Sequence, residues 1–163
     1  MGFELISFAS GIVQKQAVGE IVKCNGYTAR YGLTLTPEQA LELIETRFIA
    51  LSETGRIEFG GGVIDKIIKE FCDSPFIDMY NYVHTIHELI EMFYYYKNET
   101  SDLIGDDDLI KRMKTAYDGI CQGSLDLLLD WVLDPLARSL RSGYCSDCQD
   151  DGSFEDGEEE DEQ

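Results

Sequence analysis

The chain has 163 residues, 32 of them acidic and 13 basic, for a net charge of −19. That length suits one domain around a single core. The charge balance excludes nucleic acid and membrane as direct partners, because both attractions depend on Lys and Arg neutralising phosphate.

From the N-terminus, MGFELISFAS lacks a basic region and has only a brief apolar run, unlike a signal peptide. Ile6 stands where myristoylation wants Ser or Thr, and no apolar stretch approaches the roughly 20 residues of a spanning helix. The expected location is cytoplasmic. The cysteines at 24, 72, 121, 145 and 148 are odd in number and scattered, which favours reduced thiols.

Val18, Ile21, Val22, Tyr27 and Tyr31 repeat at helical spacing over about 13–31, and Gly32 is a suitable stop. Thr36-Pro37-Glu38-Gln39 reads as a capping box with proline at the first helical position. It opens a helix to Thr54 whose expected apolar stripe is Leu41, Ile44, Phe48 and Leu51. Arg56 to Phe59 alternates charged and apolar residues in a short extended piece. Gly60-Gly61-Gly62 then turns the chain into a helix carrying Val63, Ile64, Ile67, Ile68 and Phe71, which Ser74-Pro75 breaks.

Met79 to Lys97 is the longest clear helix. Asp106 is expected to cap the next, with Leu109, Ile110, Met113 and Tyr117 inward and Gly119 as terminator. Ser124 caps a last helix from Leu125 to about Leu133, and Asp134-Pro135 predicts a kink or restart that continues to Arg141. The fold class is all-α, a compact domain of six or seven helices over residues 1–142. Residues 143–163 hold ten of the acids and none of the bases, leaving about nine net negative charges on the body. They read as a disordered acidic tail carrying a C-x-x-C.

The histidine helix is where imidazole chemistry could occur. His84, His87, Glu88 and Glu91 share an arc of about 100°, which suggests a zinc or other transition-metal site. The opposite arc gathers Tyr82, Val83, Ile86, Leu89, Ile90, Phe93 and Tyr94 and identifies itself as the core face. The four polar residues then read as i to i+4 pairs on a solvated face, and their order fits neither His-Glu-x-x-His nor paired Glu-x-x-His.

Cys121, just before the last helix, is the best candidate nucleophile, since helix N-terminal amides depress a thiol pKa. The competing reading is a turn in which Ser124 caps and a small apolar Cys fills space. Cys145-Ser146-Asp147-Cys148 lacks the two further ligands of a structural zinc site. The glycine run at 60–62 resembles a phosphate cradle but has no Gly-Lys-Ser/Thr ending, so a tight turn is expected. Four aromatics at Phe93 to Tyr96 cannot all face one core. Tyr95 is the expected outward ring, and with Lys97, Asn98 and Glu99 it marks a possible contact surface.

Leu33-Thr34-Leu35-Thr36, Gly55-Arg56-Ile57-Glu58-Phe59-Gly60, Phe71-Cys72-Asp73-Ser74-Pro75, Phe93 to Glu99 and Cys121-Gln122-Gly123-Ser124 together resemble a family of small uncharacterised bacterial proteins, a domain of unknown function. The resemblance covers roughly residues 13–141. It implies a shared fold and transfers no catalytic role. By elimination the expected function is a cytosolic interaction or regulatory module without catalysis or cofactor, whose partner is an unidentified protein, a basic one suiting the acidic tail. The alternative is a metal protein or enzyme using His84, His87, Glu88 and Glu91, or Cys121.

Overall fold

A computed structural model describes residues 3–52 and 54–142, with side chains described from Gly11 onward, and helices joined by short connections make up this span. No strand occurs among the described residues, and the fold is all-α. α1 runs Phe3–Lys23 and turns at Cys24 into a short α2, Asn25–Thr28, followed by a 3₁₀ turn at Ala29–Tyr31. The sequence pattern begins later and continues through Cys24. The bend there follows from Asn25, whose side-chain amide donates to Leu35 O and whose Oδ1 accepts from Leu35 N, both at 2.8 Å. Gly32, at φ 75°, ends this segment as expected.

α3 (Pro37–Leu51) opens with both bonds of the Thr36–Gln39 capping box. Its inward stripe differs from expectation. Ala40, Leu43, Ile44, Thr46 and Arg47 are buried, whereas Phe48 is 72% exposed. The helix is rotated by about one residue so that Arg47, and not Phe48, faces inward. α4 (Gly62–Phe71) buries all five of its expected apolar residues.

α5 (Tyr82–Glu99) is the central helix, packed against α3, α4 and the next helix, α6 (Asp106–Asp118). Tyr82, Ile86, Leu89, Ile90 and Phe93 are fully buried, and emptying any one of these positions to Ala costs about 2–5 kcal/mol. α6 buries Leu109, Ile110, Met113 and Tyr117. Ser124 accepts from Leu127 N and opens α7 (Leu125–Leu127), which passes through a π-helical turn, Leu128–Leu133, into α8 (Asp134–Arg141). The acidic tail and its C-x-x-C lie outside the described residues.

The segment between α3 and α4 reverses the usual sense of alternation. Ile57 and Phe59 are 77% and 70% exposed, while Arg56 and Glu58 turn inward. The reason is Arg47. Its guanidinium lies 3.7 Å from Glu58 Oε1 and donates to Gly60 O at 2.7 Å. Glu58 also accepts from Val63 N and from the Tyr94 hydroxyl, the latter at 2.7 Å, and lies 3.4 Å from Arg56. Arg56 in turn grips Asp106 through two bonds, 3.2 and 2.7 Å.

Asp106 is therefore not the cap of α6. Gly105 holds the cap position, and Asp106 begins the helix with its carboxylate drawn to Arg56 and to Lys97 Nζ at 3.0 Å. Lys97, expected on a contact surface, is buried and donates to Ile104 O at 2.6 Å.

Two outcomes follow from this network. Glu58→Ala strands Arg47 away from water and should lower the unfolding free energy by about 3–5 kcal/mol in urea. Ile57→Ser, exposed in the same segment, should stay within about 0.5 kcal/mol; matching losses in the two variants would rule out the assigned role of Glu58. Arg56, then Lys97, holds the Asp106 carboxyl below the usual carboxylate range. Its stabilisation is thus complete above about pH 4 and is lost as pH falls below that. Asp106→Asn should flatten the acid limb of stability against pH, and an unchanged slope would contradict the assignment.

Candidate functional site

Between α3 and α5, with the π-helical turn, lies an open groove of about 680 Å³. Thr46, Ile49 and Ala50 line one wall, His87, Glu88, Glu91, Tyr95 and Asn98 the other, and Leu129 reaches in from the turn. Polar and apolar sides meet because α5 must present its core face to α3 and α6 at once, which leaves its His87–Glu91–Tyr95 edge along the α3 boundary.

His87, Glu88 and Glu91 offer ligand atoms within 4.8 Å of one another. His84 is exposed and stands outside this cluster, so the four-residue arc becomes a set of three. His84 lies on the same arc but seven residues, about 10 Å of helix rise, before Glu91, which puts it out of reach of the focus. His87 Nδ1 lies 2.8 Å from Thr46 Oγ1, and Nε2 lies 3.1 Å from Glu91 Oε1.

The Thr46 hydroxyl has one proton and two acceptors within reach, His87 Nδ1 and Glu42 O at 2.9 Å. If it donates to Nδ1, Nε2–H donates to Glu91. If it donates to Glu42 O, it accepts from Nδ1–H and Nε2 faces Glu91 as a lone pair.

Of the expected contact residues, Tyr95 is 58% exposed, packed edge-on to Tyr96, and Asn98 is exposed in the same groove. Glu99 leaves it to pair with Arg141 at 3.0 Å. Lys97, buried on the far side, takes no part. Sequence reasoning missed Thr46, Ile49, Ala50 and Leu129. Only the i, i+3, i+4 spacing of the α3 residues could have found them, and there Phe48 drew attention to the wrong face.

The proposed Cys121 chemistry does not assemble. Cys121 and His84 line no part of this groove, and burial pushes the Cys121 thiol up, the opposite of activation. Its backbone N–H closes the end of α6 on Ala116 O at 3.0 Å, which is the turn role. Cys24 is held more firmly. Burial, then donation to Asp65 Oδ1 at 2.8 Å, pushes its thiol up to about 12.

The glycine run is a tight turn, with Gly60 at φ 62° and Gly62 at φ 47°. The amides beside it already serve the protein's own carboxylates, Gly61 N donating to Glu20 and Val63 N to Glu58. No cradle for an external phosphate is left there.

Residues 20–146 match the model of a family of unknown function, DUF6323. The chain belongs to that family. No curated protein and no solved structure matches it. Within this DUF6323 chain the groove on α3, α5 and the π-helical turn falls wholly inside the matched residues. The first part of α1 precedes them.

Thiol reactivity tests the inert reading of the cysteines. With sites resolved by peptide mapping, Cys24 and Cys121 should alkylate at least about 100-fold more slowly in the native protein than in urea, since the thiolate is the nucleophile. Comparable native and denatured rates at Cys121 would restore it as a candidate nucleophile.

Proposed function

We propose that this DUF6323 protein is a non-catalytic binding module, resident in the cytosol, whose α3–α5 groove takes a basic segment of a protein partner. One observation carries the reading. An exposed tyrosine ring, two carboxylates and an apolar wall converge in one groove whose lining includes no Lys or Arg. A Lys or Arg side chain fits that combination, with its stem along Ile49, Ala50 and Leu129 and its cationic head between Tyr95 and the Glu88 and Glu91 carboxylates.

The magnitudes set the expected strength. A cation–π contact contributes about 0.5–2 kcal/mol and each exposed ion pair about 0.2–1 kcal/mol. Much of the affinity must therefore come from apolar contact, and a dissociation constant on the order of 10–100 μM is expected for a short segment. The described cysteines are free, which suits a reducing compartment. Among the described residues no helix is long and apolar enough to cross a membrane.

A second reading has its own support in the three clustered ligand atoms. Imidazole with two carboxylates suits Zn²⁺ or Mn²⁺, with Thr46 orienting the histidine from behind. This reading makes the groove a metal site and removes the need for a basic partner.

Panning a random peptide library against the wild type and a Glu88→Lys, Glu91→Lys variant separates the two. Enrichment of sequences rich in Lys or Arg on the wild type, lost on the variant, is the expected result. Equal enrichment on both overturns the reading. A 1:1 zinc titration that disappears in His87→Ala replaces it with the metal site.

A further inference from the structure

A second groove, of about 760 Å³, opens on the other side of the π-helical turn, between α6 and α8. Its chemistry is the inverse of the first. Lys111 and Arg112 line it, and no carboxylate does, in a chain whose net charge is −19. Among the described residues neither Lys111 nor Arg112 forms an ion pair. Lys114, one turn along the same helix, is by contrast held by Asp73 and Asp118 at 2.7 and 2.6 Å. Beside these two cations, unpaired among the described residues, lie exposed apolar surfaces, Trp131 at 57% and Ile120 at 63%, with Pro135 also lining the groove. Unpaired cations beside a wide indole make a receptor for an acidic segment that carries an aromatic residue.

Such a segment is attached to the groove. Leu136 and Ser139 of α8 line it, α8 ends at Arg141, and the next 21 residues, 143–163, contain ten acids and no base. Within them Asp150-Asp151-Gly152-Ser153-Phe154-Glu155-Asp156 sets one phenyl ring between two acidic pairs. Eleven linking residues reach up to roughly 35 Å when extended, enough to return to a groove whose rim lies within the last turns of α8. Tethering raises the effective concentration to the millimolar range, so weak contacts suffice.

We propose that the acidic tail occupies this groove in cis, with Phe154 against Trp131 and Pro135 and its flanking carboxylates on Lys111 and Arg112.

Trp131 is the single tryptophan of the chain, so its emission reports the groove directly. The full chain is compared with a chain ending at Ser142, to which a peptide of residues 143–163 is added under reducing conditions. Truncation should red-shift the emission and raise acrylamide quenching about twofold, as expected for a ring losing its cover. The peptide should reverse both changes saturably, with affinity falling on the order of fivefold from about 0.05 to about 0.5 M salt. Lys111→Gln with Arg112→Gln, which removes both charges and keeps linear polar side chains, should abolish the reversal, and Phe154→Ala in the full chain should reproduce truncation. Identical emission in full and truncated chains overturns the proposal, as does a peptide response that survives the double Gln variant. Concentration-dependent dimerisation of the full chain that is lost on truncation would place the tail on a second copy and overturn docking in cis.

Discussion

Arg47 is a cation that α3 carries into the protein interior, and the connection to α4 is arranged around neutralising it. Leaving such a charge unpaired costs more than most single core truncations, so Glu58 must come inward, and with it the backbone of residues 56–60. Once there, Glu58 also receives Val63 N and the Tyr94 hydroxyl. One carboxylate thereby fixes the start of α4, the angle of α3 and the rotation of α5. Arg56 extends the chain of charges to Asp106 and Lys97, which ties α6 to the same focus.

The cost of that arrangement appears on the surface. Because charged residues of the 56–59 segment point inward, Ile57 and Phe59 point outward, and Phe48 follows once α3 is rotated to bury Arg47. An apolar patch at these positions is thus a consequence of the buried ion network, and it needs no separate functional cause. Single exposed apolar side chains are ordinary. The α3–α5 groove differs, because there apolar wall, aromatic ring and carboxylates converge.

Helices with one consistent apolar stripe were legible in the sequence. α4 and α6 bury the residues that their spacing indicated, α5 all of them but the half-buried Val83, and the capping box at Thr36 and the cap at Ser124 are both realised. The failures occur where a charge goes inside. Periodicity treats Arg47, Arg56, Glu58 and Lys97 as solvent markers, so it turned α3 the wrong way and gave no sign that Arg56 and Glu58 face inward. It also gave Asp106 a capping role when its partner lay 50 residues away at Arg56. The candidate site was legible on α5 alone, through His87, Glu88, Glu91 and Tyr95. Its α3 wall was hidden because Thr46 and Ala50 carry no chemical signature, and the π-helical turn that supplies Leu129 has no spacing signal that distinguishes it from a continuing α-helix.

That turn is also the only element the two grooves share. Leu129 faces the acidic groove on α3 and α5, while Trp131 and Val132 face the basic groove on α6 and α8. Residues two apart, such as Leu129 and Trp131, lie about 160° from one another and so face opposite grooves. The i→i+5 geometry of the π turn brings Leu128 and Leu133, about 140° apart in a regular α-helix, toward one face, the core. Direct electrostatic influence between the grooves is limited, since a Debye length of about 8 Å screens exposed charges at physiological salt. Mechanical influence has a defined route. Tyr96 donates to Asp134 and Glu99 pairs with Arg141, so the C-terminal end of α5 is fastened to both ends of α8. A ligand that shifts α8 in one groove must either strain these two contacts or carry the Tyr95–Asn98 edge of the other groove with it.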